Sequence, residues 1–462
     1  MKASVPEMTP ELCLLNAYTA INTLKVGSRR LRRRGKGQID QLVSNIRRFG
    51  CVAPIIITTD LEIVDGHAIA EAAKIVGLTT IPTICISHLC EAELAALSVS
   101  LNRIQDMSVW DLVVLKNTFE YLLDVDIDLL SFTGYATPEI DIVLDAVSPQ
   151  SKADFADELP ETRPFIVSRL GDVWLFKGGR RLICGDALDV KTFNILIAEE
   201  RARLVIGDLP YNVKIRGHVS SRKNAREFAM ASGEMTDAEF TGFLRAVFMN
   251  LAAHCIDGAL NLHFMDWRKI GPMMAAGNEV YSELKNLCVW SKSSAGMGSL
   301  WRSQHEPCFA WKVGTAPHIN NVALGRHGRN RSNVWEYPSG SSGHRGTDRD
   351  AEAHPTPKCV AMIADAILDV TERNDIVLDP TAGSGTTLVA AHRTRRRGYG
   401  IEIDPAYVDL AVRRMEKITK APAHLAGTDL TFEDVSTARI NEVGLQTSVV
   451  DGQESADFDT TA

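Results

Sequence analysis

Two short segments of this 462-residue sequence carry groups that could do chemistry together. The first is Asp208-Leu209-Pro210-Tyr211-Asn212, which follows the apolar run at residues 203–207. It sets a carboxylate, a stiffened backbone carbonyl and an aromatic ring in one turn. An exocyclic amino group on a nucleobase is a poor nucleophile, because its lone pair is delocalised into the ring. A carboxylate at Asp208 accepting one N–H and the Leu209 carbonyl accepting the other would draw that lone pair out of plane, with Pro210 stiffening the turn and Tyr211 stacking on the base. A base inside a duplex must first leave the stack. The second segment is Asp379-Pro380-Thr381-Ala382-Gly383-Ser384-Gly385-Thr386-Thr387, between a β-branched run and an apolar helix pattern at residues 388–391. Glycines at 383 and 385 let backbone approach a ligand closely, and the following helix start offers free N–H groups.

These turns need elements to hold them. Each follows a short apolar strand and precedes a helix, the pattern of a parallel sheet covered on both faces. The next strand pattern ends in Glu402, 23 positions after Asp379, near the spacing at which an acid reaches the ribose hydroxyls of a nucleoside cofactor. A dinucleotide turn would want a third glycine where Leu388 stands. A nucleoside without a pyrophosphate fits better, and S-adenosylmethionine is the commonest; a tight structural corner is the plain alternative. Asp404 and Pro405 then start a helix whose Val408, Ala411, Val412, Met415 and Ile418 share a face. The central expectation is spatial: Asp208 must face the hollow beside Gly383 and Glu402.

The first ~150 residues have a different rhythm. Ile39, Leu42, Val43, Ile46 and Phe49 form one helix face closed by Gly50. Strands are expected at 55–57 and 62–64, an alanine-rich helix after Asp65-Gly66-His67, an edge strand at 81–84 because Pro82 cannot donate to a ladder, and helices near 91–102 and 109–123. Residues 148–164, with Pro149, Pro160 and Pro164, have linker composition. The tail at 421–462 lacks sustained periodicity and is expected to be disordered.

Composition excludes several classes. At 45% hydrophobic and 23% charged, the chain can fill two or three cores. Its apolar runs are far short of the ~18 residues of a membrane span, and its start does not read as a secretory signal. Nine scattered cysteines without a C-x-x-C pair argue against zinc and against a disulfide framework, so no metal is expected and a reducing cytoplasm is the simplest setting. The net charge of −8 looks wrong for a polyanion partner until it is located: eight acids against Arg439 at 421–462 carry −7 of it. Residues 300–349 hold seven basic and three acidic side chains, and 29–36 are strongly basic. Lys214, Arg216, Arg222, Lys223 and Arg226 follow the catalytic turn without periodicity and read as a phosphate-contacting loop, against a solvated loop as the bland alternative.

Asp208-Leu209-Pro210-Tyr211 resembles the Asp-Pro-Pro-Tyr motif of amino-group DNA methyltransferases, and residues 379–387 resemble their Asp-Pro-Phe-x-Gly-Ser-Gly-Thr-Thr motif. The catalytic motif precedes the cofactor motif, as in the permuted β class that includes many adenine-N6 enzymes. Residues 289–292 and 295–306 are similar to a block between these motifs, and 324–335 resemble the base-reading region. His354-Pro355-Thr356-Pro357-Lys358 resembles the helix entrance that closes over the methionine end of the cofactor, and Gly185-Asp186 a turn whose Asp contacts the adenine. What the resemblance implies is a catalytic set of Asp208, Leu209, Pro210 and Tyr211. It also implies a cofactor set of Asp379, Pro380, Thr381, Gly383, Ser384, Gly385, Thr386, Glu402, Asp186, Thr356 and Lys358. Arg302, Arg326, Arg329 and Arg331, with Arg222 and Lys223, are expected on duplex DNA. Leu209, Thr381 and Cys359 depart from the family pattern, and none removes a reacting group.

The implied fold is α/β: a Rossmann-like S-adenosylmethionine-dependent methyltransferase sheet at 165–420 with helices on both faces, its base-reading segment at about 296–350. Before it, residues 1–147 resemble a smaller α+β ParB-like domain with a helical extension, through Glu62-Ile63-Val64-Asp65-Gly66-His67. Ile69 stands where that family has its phosphate-binding arginine, which favours a docking module over a nucleotide hydrolase. The implied activity is site-specific methylation of adenine N6, since position 208 holds Asp and not Ser. Cytosine N4, a DNA-binding regulator with an inactive methyltransferase half, and a glutamine amide substrate are the alternatives. The number of copies in solution is left open, a homodimer included.

Overall fold

The computed structural model describes residues 16–26, 35–146, 155–160, 165–213, 233–293, 295, 300–326, 328–338 and 358–442. The chain divides into two compact units, Met1–Ser148 and Pro149–Ala462.

In the first unit, strands β1 (Asn16–Ala20), β2 (Ile55–Thr58), β3 (Ile63–Asp65) and β4 (Thr80–Ile86) form a sheet in the order β1-β4-β2-β3. The helix Lys36–Phe49 buries Ile39, Val43 and Ile46, the face that the spacing predicts, and Gly50 at φ 80° returns its N–H to the Ile46 carbonyl. Helix His67–Val76 starts after Gly66 at φ 88°, where an added Cβ would lie 2.5 Å from the Ile55 side chain. Helices Glu91–Gln105, Leu112–Val125 and Thr137–Ala146 follow. The expectation for Pro82 is corrected: β4 is an inner strand, flanked by β1 and β2. Its pairing with β2 begins at Thr83, so Pro82 sits just before that ladder and its missing donor removes nothing there. The strand covering the other side, β1, gave no signal in the sequence.

Among its described residues the second unit holds ten strands: β5 (Val173–Phe176), β6 (Arg180–Cys184), β7 (Ala202–Gly207), β8 (Cys255–Phe264), β9 (Glu283–Lys292), β10 (His305–Lys312), β11 (Val334–Tyr337), β12 (Ile376–Asp379), β13 (Arg397–Glu402) and β14 (His424–Leu425). Their order is β11-β9-β10-β8-β7-β12-β13-β6-β5-β14. The run β8-β7-β12-β13-β6 is parallel, but β10 is antiparallel to β8 and β9, and β5 to β6, so the sheet is mixed and not parallel throughout. Neighbouring residues along one strand feed opposite cores: Leu204, Ile206 and Val377 enter one, Val205, Ile376 and Leu378 the other. Both faces are therefore covered, as near-continuous apolar runs require.

The segments read as linker and disordered tail are folded in part. Residues 155–160 pack on the second unit, where the Ala156 carbonyl accepts from Arg414 at 2.7 Å and Asp157 accepts from the Val360 N–H at 2.8 Å. Residues 432–442 are helical, Phe432 meets Trp174 edge to face at 5.1 Å, and Arg439 pairs with Asp172. Two buried apolar residues, Phe432 and Val435, anchor this helix; a pattern that short falls below what periodicity detects. Among the described residues, no helix is long and apolar enough to cross a membrane.

Candidate active site

Parallel strands release their chains at the same edge of a sheet, and that topology assembles the site. β7 ends at Gly207 and delivers Asp208; β12 ends at Asp379; β13 ends at Glu402; and β6 ends at Cys184, opposite Glu402, delivering Gly185 and Asp186. Gly207 is a required glycine, since a Cβ there would lie 2.7 Å from His263 Nδ1 and 3.5 Å from Pro380 Cγ. That close approach puts the first residues of the two chemical turns side by side.

The glycine turn is built from its own acids. Asp379 accepts from the Thr381 N–H at 3.0 Å, and Glu402 from the N–H groups of Gly383 at 2.8 Å and Asp404 at 2.9 Å. Gly383 and Gly385 have φ of 50° and 81°, and a Cβ on Gly385 would stand 3.0 Å from that of Ala411. Sequence reasoning missed Arg414, which lies buried beneath the turn and donates to the Ser384 carbonyl, Ser384 Oγ and Thr386 Oγ1. Its place on the Pro405–Thr419 helix, among apolar neighbours, gave no hint of that role. Glu402, expected on ribose hydroxyls, thus also shapes the turn.

Burial pushes the carboxyls of Asp379 and Glu402 up to about 7 each. An acid whose folded value is raised stabilises the fold below its unfolded value and loses that contribution as pH rises through the folded value. Stability of the ligand-free protein is therefore expected to fall from about pH 4 to about pH 7 through these two groups. Urea melts across that range check this, with Asp379→Asn flattening its share of the slope; an unchanged slope in the variant would count against the assignment.

At the other turn, the Tyr211 hydroxyl donates to Asp208 Oδ1, and burial beside that carboxylate holds the phenol well above its usual range. Asn212, at φ 50°, ties the turn down by accepting from the N–H groups of Gly233 and Met235 and donating to the Met235 carbonyl. Leu209 is buried. Lys358, expected on the cofactor, donates to Asp208 Oδ2 at 2.8 Å and to Tyr211 OH at 3.2 Å, and pairs with Glu306 at 3.0 Å. Its ammonium is enclosed by the faces of Phe264 at 4.8 Å, Trp290 at 5.5 Å and Tyr211 at 5.8 Å. Two carboxylates outweigh burial and hold this lysine above its usual value.

Two arginines expected on DNA are committed elsewhere. Arg329 pairs with Asp365 at 3.0 Å and Asp369 at 2.9 Å, and Arg331 with Asp369 at 2.7 Å and Asp365 at 3.2 Å. The Tyr337 hydroxyl closes the group on Asp365. Both acids lie on the Val360–Val370 helix, so the cluster pins the 329–337 segment to it. A cation half-way into a protein takes a fixed carboxylate over a distant phosphate, and spacing alone does not show the acids. Arg326 is exposed, and Arg302 is exposed with its guanidinium donating to the Ala295 carbonyl. Asp186 accepts from the Leu188 N–H. Thr356, Arg222, Lys223 and the basic loop around them lie outside the described residues. Among the described residues, no His, Cys, Asp and Glu group could hold a metal ion.

Residues 202–413 match the DNA methylase family in sequence. The chain is 37% identical over 89 residues to the type II methyltransferase M.ScaI of Streptomyces caespitosus, which covers 19% of this chain and 29% of that protein. It is 31% identical over 144 residues to the type II methyltransferase M2.MboI of Moraxella bovis, covering 30% of this chain and 51% of that one. The solved complex of M1.HpyAVI with SAM aligns to 51% of this chain and 98% of its own at 19% identity, with a TM-score of 0.36. The chain thus spans about a third to a half of the length of these two curated relatives. By sequence, the stretch that carries both chemical turns is similar to DNA methylases.

Proposed function

We propose that this protein transfers a methyl group from S-adenosylmethionine to the N6 amino group of an adenine turned out of duplex DNA. The observation that carries the reading is the placement of the two turns: Asp208 and Asp379 stand at the ends of adjacent parallel strands, and a Cβ on Gly207 would meet both His263 and Pro380. A cradle of this kind fits a nucleoside. Two buried acids, Asp379 and Glu402, border the glycine turn, and Thr381 Oγ1 is buried without a hydrogen-bond partner.

Gly383, Ser384, Gly385 and the start of the Thr386–Arg393 helix would hold the cofactor's amino-acid end, with Glu402 at the ribose and Asp186 at the adenine. When bound, S-adenosylmethionine supplies an electrophilic methyl carbon whose bond to sulfur breaks with the electron pair left on sulfur. Asp208 accepts one N–H of the target amine and the Leu209 carbonyl the other, which turns the nitrogen lone pair toward that carbon. As the N–C bond forms, one amine proton passes to the Asp208 carboxylate and on to solvent. Tyr211 stacks on the base, its hydroxyl held at Asp208. Arg302 and Arg326, both exposed, would contact phosphate, and the Met1–Ser148 unit, ParB-like in this reading, is a docking module for DNA.

The test is incubation of the purified protein with duplex DNA and methyl-labelled cofactor, followed by mass spectrometry of the nucleosides. Labelled N6-methyladenine is expected; labelled N4-methylcytosine would replace adenine as the substrate, and no labelled nucleoside would remove the reading.

A further inference from the structure

The turn chemistry leaves one buried carboxylate unused. Glu306 is the second residue of β10, 98 positions from Asp208, yet antiparallel pairing with β8 brings it to the edge of the sheet where Asp208 emerges. Its Oε2 lies 3.0 Å from Lys358 Nζ, and its Oε1 3.0 Å from Lys292 Nζ. Lys358 in turn meets Asp208 at 2.8 Å. The result is a row of alternating charges, Lys292, Glu306, Lys358 and Asp208, with no net charge.

We propose that Glu306 is a positioning residue for the Asp208 carboxylate, acting through Lys358; this rests on the methyl-transfer reading above. The Lys358 ammonium is 6% exposed and enclosed by three aromatic faces, so carboxylates, and not water, set its position. Glu306 shares that ammonium with Asp208, at 3.0 Å against 2.8 Å. Without that sharing the ammonium settles on Asp208 and Tyr211 alone and draws the carboxylate out of line with the incoming amine. Loss of the Glu306 charge also leaves the row one unit positive, beside a nitrogen that becomes more positive as the methyl arrives. Both effects fall on the transfer step. Neither touches the glycine turn that holds the cofactor.

The experiment is single-turnover methyl transfer on duplex DNA by the full chain, with separate titrations of cofactor and DNA. Glu306→Gln is expected to slow transfer roughly tenfold or more while both affinities stay within about twofold, and Glu306→Asp, which keeps the charge but retracts it, to fall between Gln and wild type. A transfer rate for Glu306→Gln equal to wild type overturns the proposal. So does an equal loss in Gln and Asp variants with weakened DNA or cofactor binding, which is what simple loosening of the β9–β10 edge produces. Should Glu306→Gln fail to fold, Glu306→Asp decides alone: wild-type transfer by that variant overturns the proposal, and slower transfer at unchanged affinities supports it. Absence of transfer by the wild type would remove the methyl-transfer reading itself, whereas active wild type with indifferent variants removes only the role of Glu306.

Discussion

Asp208→Ala is expected to lower methyl transfer by about a thousandfold while cofactor affinity changes by no more than about threefold. The carboxylate is asked both to orient the amine and to receive its proton, and no neighbouring group can substitute. Lys358 is a cation, and Glu306 is already engaged by Lys358 and Lys292. Truncation also removes the acceptor of the Tyr211 hydroxyl and leaves Lys358 with Glu306 and Tyr211 as partners. The glycine turn, by contrast, is held by Glu402, Asp379 and Arg414, none of which depends on Asp208 for its backbone bonds. Transfer rates and equilibrium cofactor binding measured on the same preparations check this. Retained transfer would mean that Asp208 is not the acceptor, and joint loss of transfer and binding that the two turns fold as one.

The second large effect is on stability. Arg329→Met should cost about 3 kcal/mol in a urea melt, because it removes one of two guanidiniums from a cluster whose acids stay behind. Arg329 is 9% exposed, and Asp369, whose carboxyl burial pushes up, would keep only Arg331. Arg326→Met, at an exposed position, should stay within about 0.5 kcal/mol. The pair separates two jobs that look the same in sequence, a cation for a phosphate and a cation for a helix. Equal, small costs at both positions would return Arg329 to the DNA-contact set.

Much of the second unit could be read ahead of the coordinates because its signals are local. An apolar run followed by a rigid or glycine-rich turn specifies a strand end, and the 405–419 helix buries Val408, Ala411, Val412 and Met415 as their spacing predicts. Pro82 misled for an equally local reason. Its missing donor argues for an edge only when the partner's register is known, and the register lets it stand just outside the β2 ladder. The helix at 432–442 escaped because two buried side chains suffice to dock a segment, while a periodic pattern needs more.

By itself, the sequence determined which chemistry was on offer: an acid, a carbonyl and a ring in one turn, and glycines with acids in another, each at the end of a strand. Residue type and near-neighbour spacing decide that, since they set backbone conformation and the groups a turn can present. Tertiary structure alone decided partners across the chain. It brought Lys358 to Asp208 and Glu306, Arg329 and Arg331 to a helix, and Arg414 to the floor of the glycine turn. Charges find one another through the folded sheet order, and pairing in a low-dielectric interior depends on distance in space, a quantity that separation along the chain does not contain.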